Sequence, residues 1–141
     1  MKDVIRKEHF FAHSIKTVWE AISKEEKLST WFVKADFKAE KGYKYTFSSD
    51  DEDCKDIMGE VKHAEPYTLI YSWIVEGTDV ETIVKWELTE TNDGTKLLLE
   101  HSGISNYAKD SAVTFFSNFE SGWNKCINDL QSYLPKEAHA R

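Results

Sequence analysis

His101 is the titratable side chain whose position best suits it for chemistry inside the protein. It ends an alternating segment, Thr95 to His101, in which Leu97, Leu99 and His101 share one face. An imidazole with an ordinary pKa of ~6.5 can serve as an acid, a base or a pH-dependent hydrogen-bond partner. A single inward histidine is more often a structural residue with satisfied nitrogens, and we favour that interpretation.

Uncharged polar groups on neighbouring inward positions are the other candidates. They are the hydroxyls of Tyr45 and Tyr71 and the indole N–H of Trp73 or Trp86. Apolar pockets are usually specified by a few such groups, which fix the orientation of a bound molecule. These residues are therefore the candidates to orient a ligand, provided that the inward side chains line a cavity instead of filling the core.

Metal sites and catalytic motifs receive little support. Asp51 and Asp53 have the spacing of a calcium loop, but its glycine is absent and Lys62 replaces the bidentate glutamate, so a solvated loop is favoured. His9 and His13 would lie ~13 Å apart on a strand, too far to share a metal. The sequence contains no nucleophile elbow, Walker loop, dinucleotide fingerprint or zinc-protease motif. We expect no metal, no cofactor and no catalytic residue, and enzymatic activity stays an open question.

The longest element is a helix predicted from Val113 to Leu134. Asp110 or Ser111 is expected to cap its start, and Pro135 to end it, because proline disfavours helical geometry in the residue before it. Its apolar residues fall within an arc of about 120°. This stripe consists of Val113, Phe116, Phe119, Trp123, Ile127, Leu130 and Leu134.

Two residues of this helix carry further information. Gly122 costs ~1 kcal/mol relative to alanine in a helix interior, which suggests close approach by another backbone or by a ligand. Glu120 lies at the edge of the apolar stripe, where it would reach either a pocket mouth or, as we favour, solvent.

Shorter elements precede the helix. Val4 to Phe11 is predicted as an edge or end strand, followed by one short helix capped by Ser14 and another started by a Ser23–Glu26 capping box. Gly59 is a candidate bulge. The remaining predicted strands are Ala35 to Ala39, Tyr43 to Phe47, Ile57 to His63, Thr68 to Ile74, Val80 to Thr89 and Thr95 to His101.

Composition predicts one compact domain over residues 1–141, with 40% hydrophobic and 13% aromatic residues to form a core. The net charge of −7 opposes binding to nucleic acid or anionic membranes. The N-terminus lacks a signal-peptide core, and the longest apolar run is too short to span a bilayer, so we expect a cytoplasmic protein. Cys54 and Cys126 are expected to be free thiols.

The order of elements and the residues at their joints resemble the START-like (SRPBCC, helix-grip) superfamily, and within it the heat-shock protein 90 ATPase activator homologue group. The matching pieces run along the whole chain. They are Val18-Trp19, Leu28 with Trp31-Phe32, Gly59-Glu60-Val61, Leu69 to Trp73, Gly94 to Leu97, His101-Ser102-Gly103 and Gly122-Trp123 with Leu130. The resemblance implies an α+β fold in which a curved antiparallel sheet of six or seven strands wraps around the C-terminal helix.

The same resemblance implies a cavity between sheet and helix that binds a small apolar or aromatic molecule. The alternative is that the inward aromatics simply fill the core. A chaperone-associated interaction module and a cyclase or hydrolase that uses the cavity are the other functions considered, and a homodimer or a chaperone partner stays open. The candidate lining residues are Tyr45, Phe47, Tyr71, Trp73, Val84, Trp86, Leu99, His101, Phe115, Phe116, Phe119, Glu120 and Trp123.

Overall fold

The structure, a computed structural model, describes residues 3–48 and 55–139. Within these ranges, its elements follow one another in the order that the sequence predicts. They are β1 (Ile5–Phe11), α1 (Ile15–Ser23), α2 (Glu25–Trp31), β2 (Lys34–Asp36), β3 (Lys44–Ser48), β4 (Ile57–Glu65), β5 (Thr68–Val75), β6 (Glu81–Thr91), β7 (Gly94–Ser102), a 3-10 turn (Ile104–Asn106) and α3 (Lys109–His139).

The strands form one curved antiparallel sheet in the order β1-β7-β6-β5-β4-β3-β2. β1 lies at one edge, as its mixed sequence predicts. Because side chains alternate across a strand, register decides which residues face α3. Tyr71 is paired with Val84, and Trp86 with Leu99, and all four side chains are buried.

The two short helices after β1 start in different ways. Ser14 caps α1 as predicted, because its side-chain oxygen accepts a hydrogen bond from the Thr17 backbone N–H. The predicted Ser23–Glu26 capping box is wrong. Ser23 still belongs to the last turn of α1, and its hydroxyl donates back to the Trp19 carbonyl at 2.6 Å, a common use of serine inside a helix. Lys24 stands at the start of α2 without a side-chain cap.

Helix α3 extends beyond both predicted ends. It begins at Lys109, so Asp110 and Ser111 lie inside its first turn instead of capping it. At the other end it continues through Pro135, where the sequence analysis placed its stop. A proline removes one backbone donor and strains the turn before it, which disfavours a helix without forbidding it.

The apolar stripe of α3 is confirmed except at its start. Val113 is 63% exposed, whereas Ala112 is buried. The reason is geometric: at 100° per residue, Ala112 lies about 20° from Trp123 around the helix and Val113 about 80° from it. Val113 lies at one end of the predicted 120° arc, and at this level of the helix Ala112 takes the side that faces the core.

Gly59 is needed for a close approach between strands, not for a bulge. The irregularity of β4 lies between Val61 and His63. At Gly59, a Cβ atom would come 2.1 Å from the backbone oxygen of Ser72 on β5. The predicted bulge position is therefore wrong, although the sequence correctly marks β4 as irregular.

Candidate ligand-binding pocket

A pocket of ≈ 120 Å³ lies where α3 crosses β5 and the end of α2. Its lining is almost entirely apolar and contains no charged side chain. For comparison, an engineered apolar cavity of about 150 Å³ in another protein binds benzene. The lining residues are Phe32, Trp73, Asn118, Phe119, Gly122 and Trp123.

Three elements bring the aromatic rings of the pocket together. Trp73 points inward from β5 by strand alternation, and Phe119 and Trp123 are one turn apart on α3. The Trp73 ring centroid lies 5.1 Å from that of Trp123 and 6.2 Å from that of Phe119. Phe32 follows the last turn of α2 and stacks on Trp123 at 6.4 Å. The rings of α3, β5 and Phe32 thus pack against one another and together form the pocket wall.

Asn118 and Gly122 form the exposed side of the pocket on α3. Apart from the two neighbouring residues and the surrounding backbone of α3 itself, no described atom lies within 4 Å of the position that a Gly122 Cβ would occupy. The close backbone approach that the sequence suggested at this glycine is therefore wrong. The open space at Gly122 belongs to the pocket.

A chain of buried hydrogen bonds lies behind the pocket. The Trp123 indole N–H donates to His101 Nδ1 at 2.9 Å. His101 Nδ1 must therefore be unprotonated, so that Nε2 carries the proton and donates to Thr82 Oγ1 at 2.7 Å. The Thr82 hydroxyl in turn donates to the Trp73 carbonyl at 3.1 Å.

This chain accounts for both nitrogens of His101. The side chain is fully buried, and burial lowers its pKa to about 3. His101 is therefore neutral at physiological pH and fixed by two partners, as expected of a structural histidine. It stacks on Phe119 at 4.7 Å and so supports the pocket wall from behind.

The indole N–H of Trp73 has no hydrogen-bond partner among the described residues, although the side chain is 93% buried. The indole N–H groups of Trp31, Trp86 and Trp123 each donate to a protein acceptor at 2.8 or 2.9 Å. A buried donor without a partner costs free energy. Trp73 thus differs from these three tryptophans, including Trp123, the other tryptophan that lines the pocket.

The structure brings three of the sequence-predicted lining residues, Trp73, Phe119 and Trp123, to this pocket. Among the others, Phe115 stacks on Tyr107 at 3.9 Å, and Glu120 is about half exposed with its carboxylate 3.4 Å from Lys7 Nζ. Phe116 is half-buried against the core, and His101 lies behind the wall. The remaining candidates are buried in the core away from the pocket: Tyr45, Phe47, Tyr71, Val84, Trp86 and Leu99.

Two tyrosines within that core use their hydroxyls in protein hydrogen bonds. Tyr45 donates to the Ser72 carbonyl at 2.5 Å, and Tyr71 accepts from the Trp86 indole at 2.9 Å. Burial raises the pKa of both phenols, so both are neutral. Their rings lie 5.1 Å apart in a buried cluster with Phe37 and Phe47.

Sequence reasoning missed Phe32 and Asn118 as lining residues. The apolar residues Leu28, Trp31 and Phe32 predict a second short helix that includes Phe32, but Phe32 lies just past the end of that helix. At 100° per residue, Asn118 falls on the polar side of the predicted long helix, and it is indeed exposed there. The presence of Gly122 one turn after Asn118 was the signal that could have identified this flank.

The part of the chain that the structure describes contains neither a group of metal ligands nor a membrane-spanning helix. No three side chains of His, Cys, Asp or Glu converge there as metal ligands would. The calcium-like pair Asp51 and Asp53 and the thiol of Cys54 lie outside the described residues. None of the described helices has the length and apolar character that a membrane crossing requires.

A seven-stranded antiparallel sheet closed over a long C-terminal helix, with two short helices after β1 and a pocket where sheet and helix meet, defines a START-like helix-grip domain. The family described as Activator of Hsp90 ATPase homolog 1-like protein matches residues 12–135. The chain belongs to that family. The resemblance stated from the sequence is therefore confirmed.

Solved structures agree with this assignment. The chain is similar to protein MLL2253 from Mesorhizobium loti, with 26% identity, a TM-score of 0.84 and coverage of 94% of this chain and 97% of that chain. It is also similar to protein BH1534 from Bacillus halodurans, with 27% identity, a TM-score of 0.77 and coverage of 95% and 97%. CalU16 from Micromonospora echinospora shows 25% identity, a TM-score of 0.66 and coverage of 93% and 72%. No protein of curated function matches the sequence.

Proposed function

We propose that the protein binds a small, uncharged aromatic molecule in the pocket between β5, α2 and α3. The observation that carries this proposal is the lining itself: four aromatic side chains, one amide and one glycine surround a space of ≈ 120 Å³. An apolar concave site with few polar groups is typical of small-molecule recognition. A charged ligand is disfavoured because no lining side chain offers it an opposite charge.

The size of the pocket limits the part of the ligand that it encloses. A volume of ≈ 120 Å³ is comparable to that of the cavity that accepts one benzene ring. The exposed flank at Asn118 and Gly122 leaves room for substituents of that ring. The proposed ligand therefore places one ring among Phe32, Trp73 and Trp123.

Binding is a better proposal than catalysis for this site. A catalytic site brings two or more reactive polar groups to the substrate. Among the described lining residues, the polar groups are the Asn118 amide and the Trp73 and Trp123 indoles, and none of these titrates near neutral pH. His101 is neutral and engaged with Thr82 and Trp123.

A chaperone partner, which the family description suggests, lacks a comparable observation. Docking to another protein usually needs a contiguous apolar patch. The described large apolar side chains that are exposed are spread over the chain just before β1, β1 itself, β4 and α3: Val4, Phe10, Met58 and Val113. Stimulation of the ATPase of a purified Hsp90-type chaperone by this protein would favour the chaperone alternative over our proposal.

The proposal is tested by blocking the pocket from its open flank. Gly122→Leu places a side chain into the space where no atom lies within 4 Å, so the variant is expected to fold. Ethylbenzene titrated into the wild type should change tryptophan fluorescence, because Trp73 and Trp123 line the site. Gly122→Leu should weaken that binding by about 5- to 150-fold, since overpacking of a site costs about 1–3 kcal/mol.

The matched control is Ser121→Leu. It adds the same side chain at the neighbouring exposed position, about 100° around the helix and away from the pocket. We expect wild-type affinity for this variant. Equal binding of ethylbenzene by wild type, Gly122→Leu and Ser121→Leu would refute the proposed site, and no binding by the wild type would refute the proposed function.

A further inference from the structure

We infer that a second groove, on the outer face of the sheet, binds an aliphatic ammonium ion, a molecule with an apolar chain and one positive charge at its end. The groove has a volume of ≈ 380 Å³ and is formed by β3, β4, β5 and the first residue of β6. It is separate from the pocket at α3, so this inference goes beyond the function proposed above and does not depend on it. Its lining includes Lys44, Thr46, Met58, Glu60, Ile74 and Glu81.

Strand alternation places these side chains on the side of the sheet that faces away from α3. Trp73 and Thr82 are paired across β5 and β6, and both are buried in the core. Their chain neighbours Ile74 and Glu81 form the next pair and therefore point outward. Met58 is paired with Ile74 from the other side and is 39% exposed. The middle of the groove is thus an apolar strip that ends at a carboxylate.

The polar side chain on the floor of the groove is already paired. Ser72 is buried, and its hydroxyl accepts a hydrogen bond from the Glu60 N–H at 2.8 Å and donates to the Glu60 carbonyl at 3.4 Å. These bonds satisfy the hydroxyl within the protein. Recognition of a polar ligand in this groove therefore depends on the charged side chains at its rim.

The charges at the rim favour a cation. Lys44 and Glu60 lie directly opposite each other on β3 and β4, so their charges offset one another. The carboxylate of Glu81 makes no ion pair with any described residue, and no second cationic side chain is among the described lining residues. The groove thus carries one uncompensated negative charge, in a chain whose net charge is −7. An anion would be repelled by both.

The spacing of the strands limits the length of the ligand. Neighbouring strands lie about 4.8 Å apart, so the backbone of Glu81 on β6 is about 10 Å from that of Met58 on β4. An extended hexylammonium ion covers this distance. Its ammonium group donates to the Glu81 carboxylate, while its chain lies on Ile74 and Met58 and removes their apolar surface from water.

The test uses Met58 as the reporter of the groove. The sequence contains two methionines, Met1 and Met58, so a carbon–proton NMR spectrum of methyl-labelled methionine has two signals. Met58→Leu identifies the signal of interest by its loss. Hexylammonium chloride should shift the Met58 methyl signal saturably and give a dissociation constant. Hexan-1-ol, which has the same chain without the charge, should bind more weakly.

Substitution of Glu81 then tests the charge. Glu81 is exposed, so its variants are expected to fold. Glu81→Gln should weaken hexylammonium binding by about 1.4- to 5-fold, the range for an exposed ion pair. Glu81→Lys should weaken it further, because repulsion replaces attraction. Both variants should bind hexan-1-ol as the wild type does.

Glu87→Gln and Glu87→Lys are the matched controls. Glu87 lies on the same strand and the same face, but outside the groove. Six residues along a strand separate the two side chains by about 20 Å, beyond the Debye length of about 8 Å at physiological ionic strength. Both control variants should bind hexylammonium with the affinity of the wild type.

Three results would overturn the inference. The first is a Met58 methyl signal that hexylammonium does not shift. The second is equal affinity of the wild type for hexylammonium and hexan-1-ol. The third is an affinity for hexylammonium that is the same in the wild type, Glu81→Gln and Glu81→Lys. Each of them leaves the function proposed for the pocket at α3 untouched, since that function is tested with ethylbenzene and Gly122→Leu.

Discussion

At the residue scale, His101 shows how a titratable side chain serves packing instead of proton transfer. It accepts from Trp123 and donates to Thr82, and these bonds join β7, β6 and α3 in the interior. Buried polar chains of this kind are stabilising only when every member is paired in the right protonation state. The neutral imidazole with its proton on Nε2 is the form that fits.

This arrangement predicts acid sensitivity of the fold. Burial lowers the pKa of His101 to about 3 from an ordinary 6.5, so between these values the unfolded chain binds a proton that the folded chain does not. Stability should therefore fall with decreasing pH below about 6.5, by about 1.4 kcal/mol per pH unit for this one proton. Above that range the histidine adds no pH dependence.

Urea unfolding from about pH 7.5 to about pH 4 measures this effect. His101→Gln should be less stable than the wild type at the upper end but have a shallower slope. His63→Gln, which changes a half-buried histidine on β4 outside this chain of hydrogen bonds, serves as the control for the loss of a histidine. Identical slopes for wild type and His101→Gln would show that His101 is not the group responsible.

Cys126 supports a second prediction at this scale. Its side chain is buried on α3, and burial raises the pKa of the thiol. Because the thiolate is the reactive form, Cys126 should resist aromatic disulfide reagents in the native protein. In a Cys54→Ser variant, we expect labelling only after denaturation. The absorbance of the aromatic thiolate that the reagent releases measures this labelling. Rapid labelling under native conditions would contradict the burial of this face of α3.

At the scale of elements, replacing two different glycines by alanine should have opposite effects on stability. Alanine at Gly122 meets no atom within 4 Å and should stabilise α3 by ~1 kcal/mol through helix propensity. Alanine at Gly59 would bring a Cβ 2.1 Å from a backbone oxygen of β5, so the strands must separate and the protein should lose about 1–3 kcal/mol or more. Urea unfolding of the two variants measures both signs. If both substitutions changed the free energy of unfolding in the same direction, the surroundings described for one of the two glycines would be wrong.

The order of the elements was predictable because each segment carries its own period: two for β5, β6 and β7, and 3.6 for α3. The ends of the elements were not predictable, since they depend on contacts with residues distant in sequence. Nothing near Pro135 indicates that α3 continues through it. Ser23 had the spacing of a cap, but α1 extends over it and its hydroxyl bonds within α1. Local sequence therefore gave the elements more reliably than their boundaries.

The pocket was predictable to a similar extent. Trp73, Phe119 and Trp123 were expected to face the sheet–helix space because alternation or helical period fixes their direction. Phe32 follows a helix end, with φ −107° and ψ −92°, where no period determines direction. Whether a ring fills the core or lines a space depends on packing between elements, which no single segment encodes.

At the scale of the whole molecule, charge limits the choice of partners. The net charge is −7, from 18 basic and 25 acidic residues. Binding to a nucleic-acid backbone draws most of its free energy from lysine and arginine contacts with phosphate. We therefore predict no gel shift with duplex DNA at ordinary salt. A salt-sensitive shift at micromolar protein would contradict this prediction.

The fold as a whole depends on Trp123, where most of its parts meet. Its ring contacts Phe32 after α2, Trp73 on β5 and Trp86 on β6, and its N–H donates to His101 on β7. Trp123→Ala should cost ~3–5 kcal/mol, as expected for an aromatic truncation in a core, and it also leaves a buried nitrogen of the imidazole unpaired.

Val113→Ala is the control on the same helix. Val113 is 63% exposed, although the apolar period of the sequence placed both residues on one stripe. Its truncation should change the free energy of unfolding by no more than about 0.5 kcal/mol. Urea unfolding of the two variants thus distinguishes the face of α3 that is buried against the sheet from the apolar face that the sequence predicted. A loss below about 1 kcal/mol for Trp123→Ala would mean that the sheet does not enclose the helix, because a ring buried against three elements cannot be removed at so small a cost.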